Sequence, residues 1–70
     1  MKPTEVINYL NKPVNVENPK ISGIMLFTAY IFRIKDGKKW FQAEVQNLDP
    51  PHEIYIVNLN DLEGVDDNGI

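Results

Sequence analysis

Few residues in this chain could carry acid–base, nucleophilic or metal chemistry, and they are far apart in sequence. His52 is the only histidine, Ser22 is the only serine, and there is no cysteine. A catalytic histidine needs a nucleophile and an orienting carboxylate within hydrogen-bond reach. His52 and Ser22 belong to different predicted loops, so the sequence does not meet this requirement. The favoured interpretation of His52 is a solvated loop side chain.

The acidic C-terminal end resembles part of a calcium loop, but the match is incomplete. Residues 66–70 read Asp-Asp-Asn-Gly-Ile. A calcium loop needs an oxygen ligand where Gly64 stands and a bidentate glutamate further on. A frayed acidic tail is therefore the favoured interpretation. Zinc-ligand spacing and a glycine-rich phosphate loop are also absent from the sequence. We expect no enzymatic activity, no cofactor and no bound metal.

A stripe of aromatic and polar side chains on a predicted hairpin is the best candidate for a binding surface. Tyr30, Phe32, Trp40 and Gln42 share one face in the favoured strand register. Aromatic side chains commonly anchor interfaces because they bury a large area and have few rotatable bonds. The stripe predicts binding to an unknown protein partner or to a second copy of the chain. The alternative is that the N-terminal helix or the last strand covers these side chains.

A basic hairpin tip suggests a second kind of partner. Arg33, Lys35, Lys38 and Lys39 lie close to Trp40. Such cations could hold a phosphate backbone while the indole stacks on a base, as in single-strand binders. Charged tips also occur merely to keep a strand edge soluble. The formal net charge of -3 argues against a duplex binder, so single-stranded nucleic acid is the alternative function and protein binding is preferred.

The length of 70 residues predicts a single domain. No apolar run is long enough for a signal peptide or a membrane span, so we expect a cytoplasmic protein. Hydrophobic spacing predicts its elements. In order, these are a helix over 4–11, a strand over 13–17, a hairpin of 24–34 and 38–46, a strand over 54–58, a 3-10 turn, and a short final strand ending near Val65. Residues 13–65 form the predicted β core.

The hairpin has two possible registers. A two-residue turn at Asp36-Gly37 mixes apolar and charged groups on both faces. A three-residue loop, with Gly37 in the left-handed conformation and a bulge beside it, gives one wholly apolar face. This bulged register is favoured, because a slip of one residue would exchange the two faces. It places Ile31 opposite Phe41, Ala29 opposite Ala43, and Phe27 opposite Val45, whereas the alternative places Arg33 opposite Trp40 and Ile31 opposite Gln42.

A long hairpin with two different faces predicts a sheet curled on itself. The expected fold is mainly β: a small, partly open barrel of about five strands with one short N-terminal helix and a 3-10 turn before the last strand. The predicted core is Val6, Leu10, Val14, Val16, Phe27, Ala29, Ile31, Phe41, Ala43, Val45, Ile56, Leu62 and Val65.

Two resemblances accompany this prediction. The hydrophobic spacing of residues 56–65, Ile-Val-Asn-Leu-Asn-Asp-Leu-Glu-Gly-Val, resembles the strand, 3-10 turn and last strand of SH3-like barrels. The chain also resembles short uncharacterised proteins of Gram-positive bacteria and their mobile elements. The segments that carry this second resemblance are 11–14, 30–33, 41–44 and 59–63. It implies a bacterial setting and no particular mechanism.

Overall fold

The structure is a computed structural model that describes residues 1–65. It contains five strands, one short α-helix and two 3-10 turns. The strands are β1 (Pro13–Glu17), β2 (Ser22–Lys35), β3 (Lys38–Asn47), β4 (Ile54–Asn58) and β5 (Leu62–Gly64), the helix α1 is Val6–Tyr9, and the 3-10 turns are Pro3–Glu5 and Leu59–Asp61. The predicted acidic tail, 66–70, lies outside the described residues. Within residues 1–65 no helix has the length and apolar character needed to cross a membrane.

All five strands form one antiparallel sheet in the order β4-β3-β2-β1-β5. The mainly β class, the short N-terminal helix and the 3-10 turn before the last strand are confirmed. The sheet is not closed into a barrel, because no ladder joins β4 to β5 within the described chain. The turn Leu59–Asp61 carries the chain from one edge of the sheet to the other. The three-residue β5 then pairs with β1, at the edge away from β4.

One face of the sheet, called here the core face, carries the strand side chains that become buried; the opposite face is called the outer face. Alternation places Val14 and Val16 of β1, and Ala43 and Val45 of β3, on the core face, where all four are fully buried. Burying these side chains supplies most of the stabilisation available to so small a chain. The full buried set is Val6, Val14, Val16, Met25, Phe27, Ala43, Val45, Val57, Leu59 and Leu62.

The predicted core differs from the observed one on β3 and β4. Ile56 lies opposite Glu44 on the outer face and is exposed, so its neighbour Val57 fills the core instead. Phe41 is also exposed, because it lies beyond the last residue pair that β3 makes with β4. Met25 and Leu59 are buried residues that the sequence analysis missed. The predicted core residues that are only partly buried are Leu10, Ala29, Ile31 and Val65.

The N-terminal segment is less helical than predicted and covers one end of the core face. The α-helix has four residues, too few to be stable alone in water. It is held in place by Val6, which is buried, and by Tyr9, whose ring lies against Gly64. The Met1 amino group donates hydrogen bonds to the carbonyl of Leu62 at 2.8 Å and to that of Leu59 at 3.2 Å. These contacts fasten α1 to the edge formed by β5.

The predicted hairpin register is wrong at the tip. Lys35 pairs with Lys38, which leaves a two-residue turn. Asp36 and Gly37 both have positive φ, 52° and 76°, as a type I′ turn requires at its two central residues. The positive φ predicted for Gly37 is therefore confirmed, but the three-residue loop is not. An Asp-Gly turn matches the twist of the flanking strands, and this local preference outweighs the segregation of apolar side chains.

The bulge exists, but it lies in the middle of β2. Phe27 pairs with Val45 as predicted, whereas Ala29 pairs with Glu44, so Thr28 is an extra residue. The Thr28 hydroxyl oxygen lies 2.7 Å from a Glu44 carboxylate oxygen and 3.1 Å from the Glu44 carbonyl. An extra residue exchanges the faces of every later side chain on the strand. Both registers considered for the hairpin therefore occur, one on each side of Thr28.

Candidate interaction surface

The distal part of the hairpin extends beyond the other strands. β1 pairs with β2 only as far as Leu26, and β4 pairs with β3 only from Gln42 onwards. The two-stranded ribbon of residues 31–41 is called the arm. The arm contributes to an elongated shape of 42 × 28 × 20 Å. Every residue from Phe32 to Phe41 is exposed, although the arm carries several large apolar side chains.

An aromatic pair lies on the core-face side of the arm. Phe32 and Phe41 are opposite each other in the ladder, and their ring centroids are 5.2 Å apart with a tilt of 31°. This separation is typical of favourable aromatic contacts. The pair is nevertheless 46% and 39% exposed, and the neighbouring Ile34 is also exposed. The arm thus continues the apolar core face outward beyond the neighbouring strands, and only at its base does Phe41 border a cleft that Pro3 and Leu59 also line.

The outer-face side of the arm is basic. Arg33 lies opposite Trp40, and Lys35 lies opposite Lys38. A shallow groove of about 740 Å³ runs from these residues towards the body of the sheet. Its lining includes Arg33, Ile34, Lys35, Trp40, Gln42 and Ile56. The side-chain oxygen of Gln42 is buried and has no hydrogen-bond partner within the described chain.

The predicted aromatic stripe is divided between the two faces. Tyr30 pairs with Ala43 and Phe32 pairs with Phe41, so both lie on the core face. Trp40 and Gln42 lie on the outer face, because the Thr28 bulge changes the register. Tyr30 is partly buried and packs against the core, whereas Phe32 and Trp40 stay exposed. In the described chain, neither α1 nor β5 covers the arm, since both pack at the far edge of the sheet.

Charge is separated along the molecule. Residues 33–39 carry four cations and one carboxylate, a net charge of +3, while the rest of the chain carries three cations and nine carboxylates, a net charge of -6. Of the predicted basic set, Arg33, Lys35 and Lys38 share the outer face with Trp40, whereas Lys39 lies on the core-face side opposite Ile34. The arm therefore presents one face with three cations and an indole, and one face dominated by apolar side chains.

The residues considered for chemistry lie outside the arm and have local roles. His52 is in the loop between β3 and β4, where its ring Nδ1 lies 3.0 Å from the Asn47 carbonyl. Glu53 accepts a hydrogen bond of 2.6 Å from the Tyr55 hydroxyl. That bond, with partial burial, raises the pKa of Tyr55 above its ordinary value of 10.0. Within residues 1–65 no cluster of His, Cys, Asp or Glu has the geometry to hold a metal ion.

Sequence reasoning missed Ile34 and Phe41 as exposed apolar residues of the arm. The Asp36-Gly37 dipeptide was the signal that could have found them, because a two-residue turn fixes Phe32 opposite Phe41.

Comparison with protein-family models, with curated proteins and with solved structures finds no match.

Proposed function

We propose that this protein is a non-enzymatic binding module whose arm docks on a partner protein. The single observation that carries this proposal is the arm itself, a two-stranded ribbon with Phe32, Ile34 and Phe41 exposed on one face. The resemblance to short proteins of Gram-positive bacteria adds a bacterial cytoplasm as the proposed setting. Tyr30, Phe32, Trp40 and Gln42 remain the proposed contact residues, and the new register adds Ile34 and Phe41.

The energetics of the arm support this function. An isolated two-stranded ribbon is at best marginally stable in water. Exposed aromatic side chains lose the hydrophobic stabilisation that burial would provide, which is about 25 cal/mol per Å². A ribbon used only to connect two strands would not need these side chains. Docking of the Phe32–Phe41 pair into a partner would recover that stabilisation and would order the ribbon at the same time.

A peptide-display experiment tests the proposal with a probe of random sequence in place of the unidentified partner. A random peptide library is selected on the intact protein, and the enriched peptides are then measured on a variant with Phe32→Ser and Phe41→Ser. We expect the double variant to lose at least about tenfold in affinity, because interface aromatics dominate binding energy. The matched control is Ile7→Ser, which removes another exposed apolar side chain on α1. Equal binding by both variants would contradict the arm as the docking surface.

We further propose that the fold is an open relative of the SH3-like arrangement. Its support is the 3-10 turn Leu59–Asp61 between β4 and β5, together with pairing of β5 with β1 on the side of the sheet opposite β4. SH3-like folds host many unrelated activities, so the proposed fold adds no function of its own.

Single-stranded nucleic acid is the second candidate function, favoured by the outer face of the arm. Arg33, Lys35 and Lys38 share that face with Trp40 and border the groove. Binding of a short single-stranded oligonucleotide is measured across a salt titration, with Lys35→Glu plus Lys38→Glu as the test variant. Micromolar affinity that falls steeply with salt, and is lost in this variant, would favour the alternative. Absence of such binding favours a protein partner.

A further inference from the structure

The two edges of the sheet are protected very differently. The β5 edge has three residues, contains Glu63 and is flanked by the hydrogen-bonded Met1 amino group. Natural proteins protect sheet edges with short strands, charges or covering segments. The β4 edge has five residues, Ile54–Asn58, and none of them is charged. Ile54 and Ile56 on this strand are 57% and 47% exposed.

The backbone groups that β4 directs outward follow from its ladder with β3. The Asn47 N–H donates to the Glu53 carbonyl at 2.9 Å. In an antiparallel ladder, hydrogen-bonded pairs recur at every second residue. Tyr55 and Val57 therefore bond to β3, while Ile54, Ile56 and Asn58 direct their N–H and C=O groups away from the sheet. The N–H and C=O groups of Ile54 and Ile56 and the N–H of Asn58 have no backbone partner within residues 1–65, whereas the Asn58 carbonyl caps the 3-10 turn Leu59–Asp61.

We propose that a second copy of this chain docks on β4, antiparallel, with the two-fold axis at Ile56. This register makes Ile56 face Ile56 of the second copy and Ile54 face its Asn58. The free outward groups of Ile56 and the Asn58 N–H are then paired, with about four backbone hydrogen bonds across the seam. The two sheets become one continuous sheet, and the contact is the same on both copies, as a two-fold symmetric interface requires.

Charge complementarity selects a second copy in this orientation. Glu53 directly precedes β4, and Asp49 is near it in the same loop. At the other end of β4, Asn58 is paired with Gln42, and β3 continues past this pair to Lys39 and Lys38 in the arm. Antiparallel docking brings Glu53 of each copy towards the arm lysines of the other, while Asp61, which follows β4, is hydrogen-bonded to Asn18. A parallel arrangement would bring like charges together.

The side chains at the seam also favour self-docking. Ile54 and Ile56 lie on the outer face, as they pair with Gln46 and Glu44. In the dimer the four isoleucines of the two copies form one cluster across the seam. Ile56 also lines the groove that reaches Trp40, so each groove would end at the interface. The isoleucines of β4 thereby contact the same residues of another copy across the seam.

Analytical ultracentrifugation tests this proposal directly. At about 100 μM protein, a concentration suited to a small interface, we expect a dimer. Ile56→Lys should weaken the dimer several-fold, because it places two like charges directly opposite each other at the axis. Ile56→Pro should do the same while preserving the ladder with β3, since it removes an outward N–H. The control Ile7→Lys should dimerise like the parent protein. A monomer at this concentration, or a dimer insensitive to Ile56→Lys, overturns the proposal.

Two further variants test the register. The sequence contains no cysteine, so a single introduced cysteine reports on one position. Ile56→Cys should form a disulfide dimer under mild oxidation much faster than Ile7→Cys, because opposite residues in a hydrogen-bonded pair are close enough to be bridged. Lys39→Glu and Glu53→Lys should each weaken dimerisation several-fold, and the double variant should restore it. Equal cross-linking rates, or no restoration, would contradict this register.

The variants that test the dimer differ from the variants that test binding by the arm. Ile56→Lys leaves Phe32 and Phe41 in place, and Phe32→Ser with Phe41→Ser leaves the β4 edge intact. Peptide binding that survives Ile56→Lys, in a protein that stays monomeric throughout, would reject the dimer and keep the arm's function. A chain that stays monomeric yet binds extended peptides along β4 would assign this edge to a strand of another protein, and would also overturn the dimer.

Discussion

The two halves of the central hairpin use the same two strands but have opposite environments. Up to Leu26, β2 lies between β1 and β3, and the next residue, Phe27, is fully buried opposite Val45. Beyond Ile31 the same strand has β3 as its only neighbour in the described chain, and the Phe32–Phe41 pair is exposed. The comparison shows that aromatic content alone does not indicate a core. The number of neighbouring strands decides whether a side chain stabilises the fold or remains available for binding.

The bulge marks the boundary between these two regimes. Because Thr28 is an extra residue, Phe27 and Tyr30 lie on the same face although they are three residues apart. A continuous run of apolar residues would otherwise alternate strictly between faces. The bulge therefore lets the core face continue into the arm as Tyr30 and Phe32, and it places Trp40 with the basic groups on the outer face.

The largest expected effect comes from the buried half of the hairpin. Phe27→Ala should lower the free energy of unfolding by about 3–5 kcal/mol, the usual range for a large buried side chain. A domain of this size has little stability to lose, so the variant should be largely unfolded at room temperature. Urea unfolding followed by circular dichroism measures this, with Ile7→Ala as the exposed control. A loss below about 1 kcal/mol would contradict the placement of Phe27 at the centre of the core.

The contact between α1 and β5 should show the next largest effect. A β-carbon at Gly64 would overlap the ring of Tyr9, so Gly64→Ala should cost about 1–3 kcal/mol through overpacking. The double variant with Tyr9→Ala should recover part of the loss, because it opens the space that the methyl group needs. Both values come from urea unfolding. A Gly64→Ala variant as stable as the parent protein would mean that α1 does not pack against β5.

A change at the turn should affect the arm more than the body. Gly37 has φ of 76°, which a β-branched residue strongly resists, so Gly37→Val should destabilise the turn by about 1–2 kcal/mol. Trp40 is the only tryptophan and lies in the arm, so its fluorescence reports on that region. We expect altered Trp40 fluorescence with little change in the circular-dichroism melting curve. Equal losses of stability measured by Trp40 fluorescence and by circular dichroism would show that the arm and the body unfold as one unit.

The smallest effect should come from the charges of the arm. Lys35 and Lys38 are opposite each other, and like charges in that position are unfavourable. Lys38→Glu should therefore raise the free energy of unfolding slightly, by about 0.2–1 kcal/mol. Lys20→Glu, an exposed lysine outside the arm, is the control. A clear loss of stability in Lys38→Glu would indicate that the arm's cations have structural partners.

The sequence predicts the body of this molecule better than its arm. Strand bounds, the 3-10 turn and the pairing of Phe27 with Val45 follow from hydrophobic spacing and turn residues, which are local signals. The bulge at Thr28 does not follow, because residues 24–32 are almost continuously apolar and a period of two cannot be read from them. Exposure of Phe32 and Phe41 depends on where β1 and β4 stop pairing. That is a property of the whole sheet, so the apolar pattern of β2 and β3 could not reveal it.

Removal of the arm tests the central claim most directly. Ile31 lies opposite Gln42, so residues 32–41 can be replaced by Asn-Gly, which closes the two strands with a two-residue turn. We predict that the shortened protein keeps the circular-dichroism spectrum of a folded sheet and loses no more than about 1 kcal/mol of unfolding free energy, the scale of an exposed substitution. It should no longer bind the peptides selected on the intact protein. A shortened protein that is unfolded, or that is folded and binds those peptides undiminished, would contradict the division between a stabilising body and a binding arm.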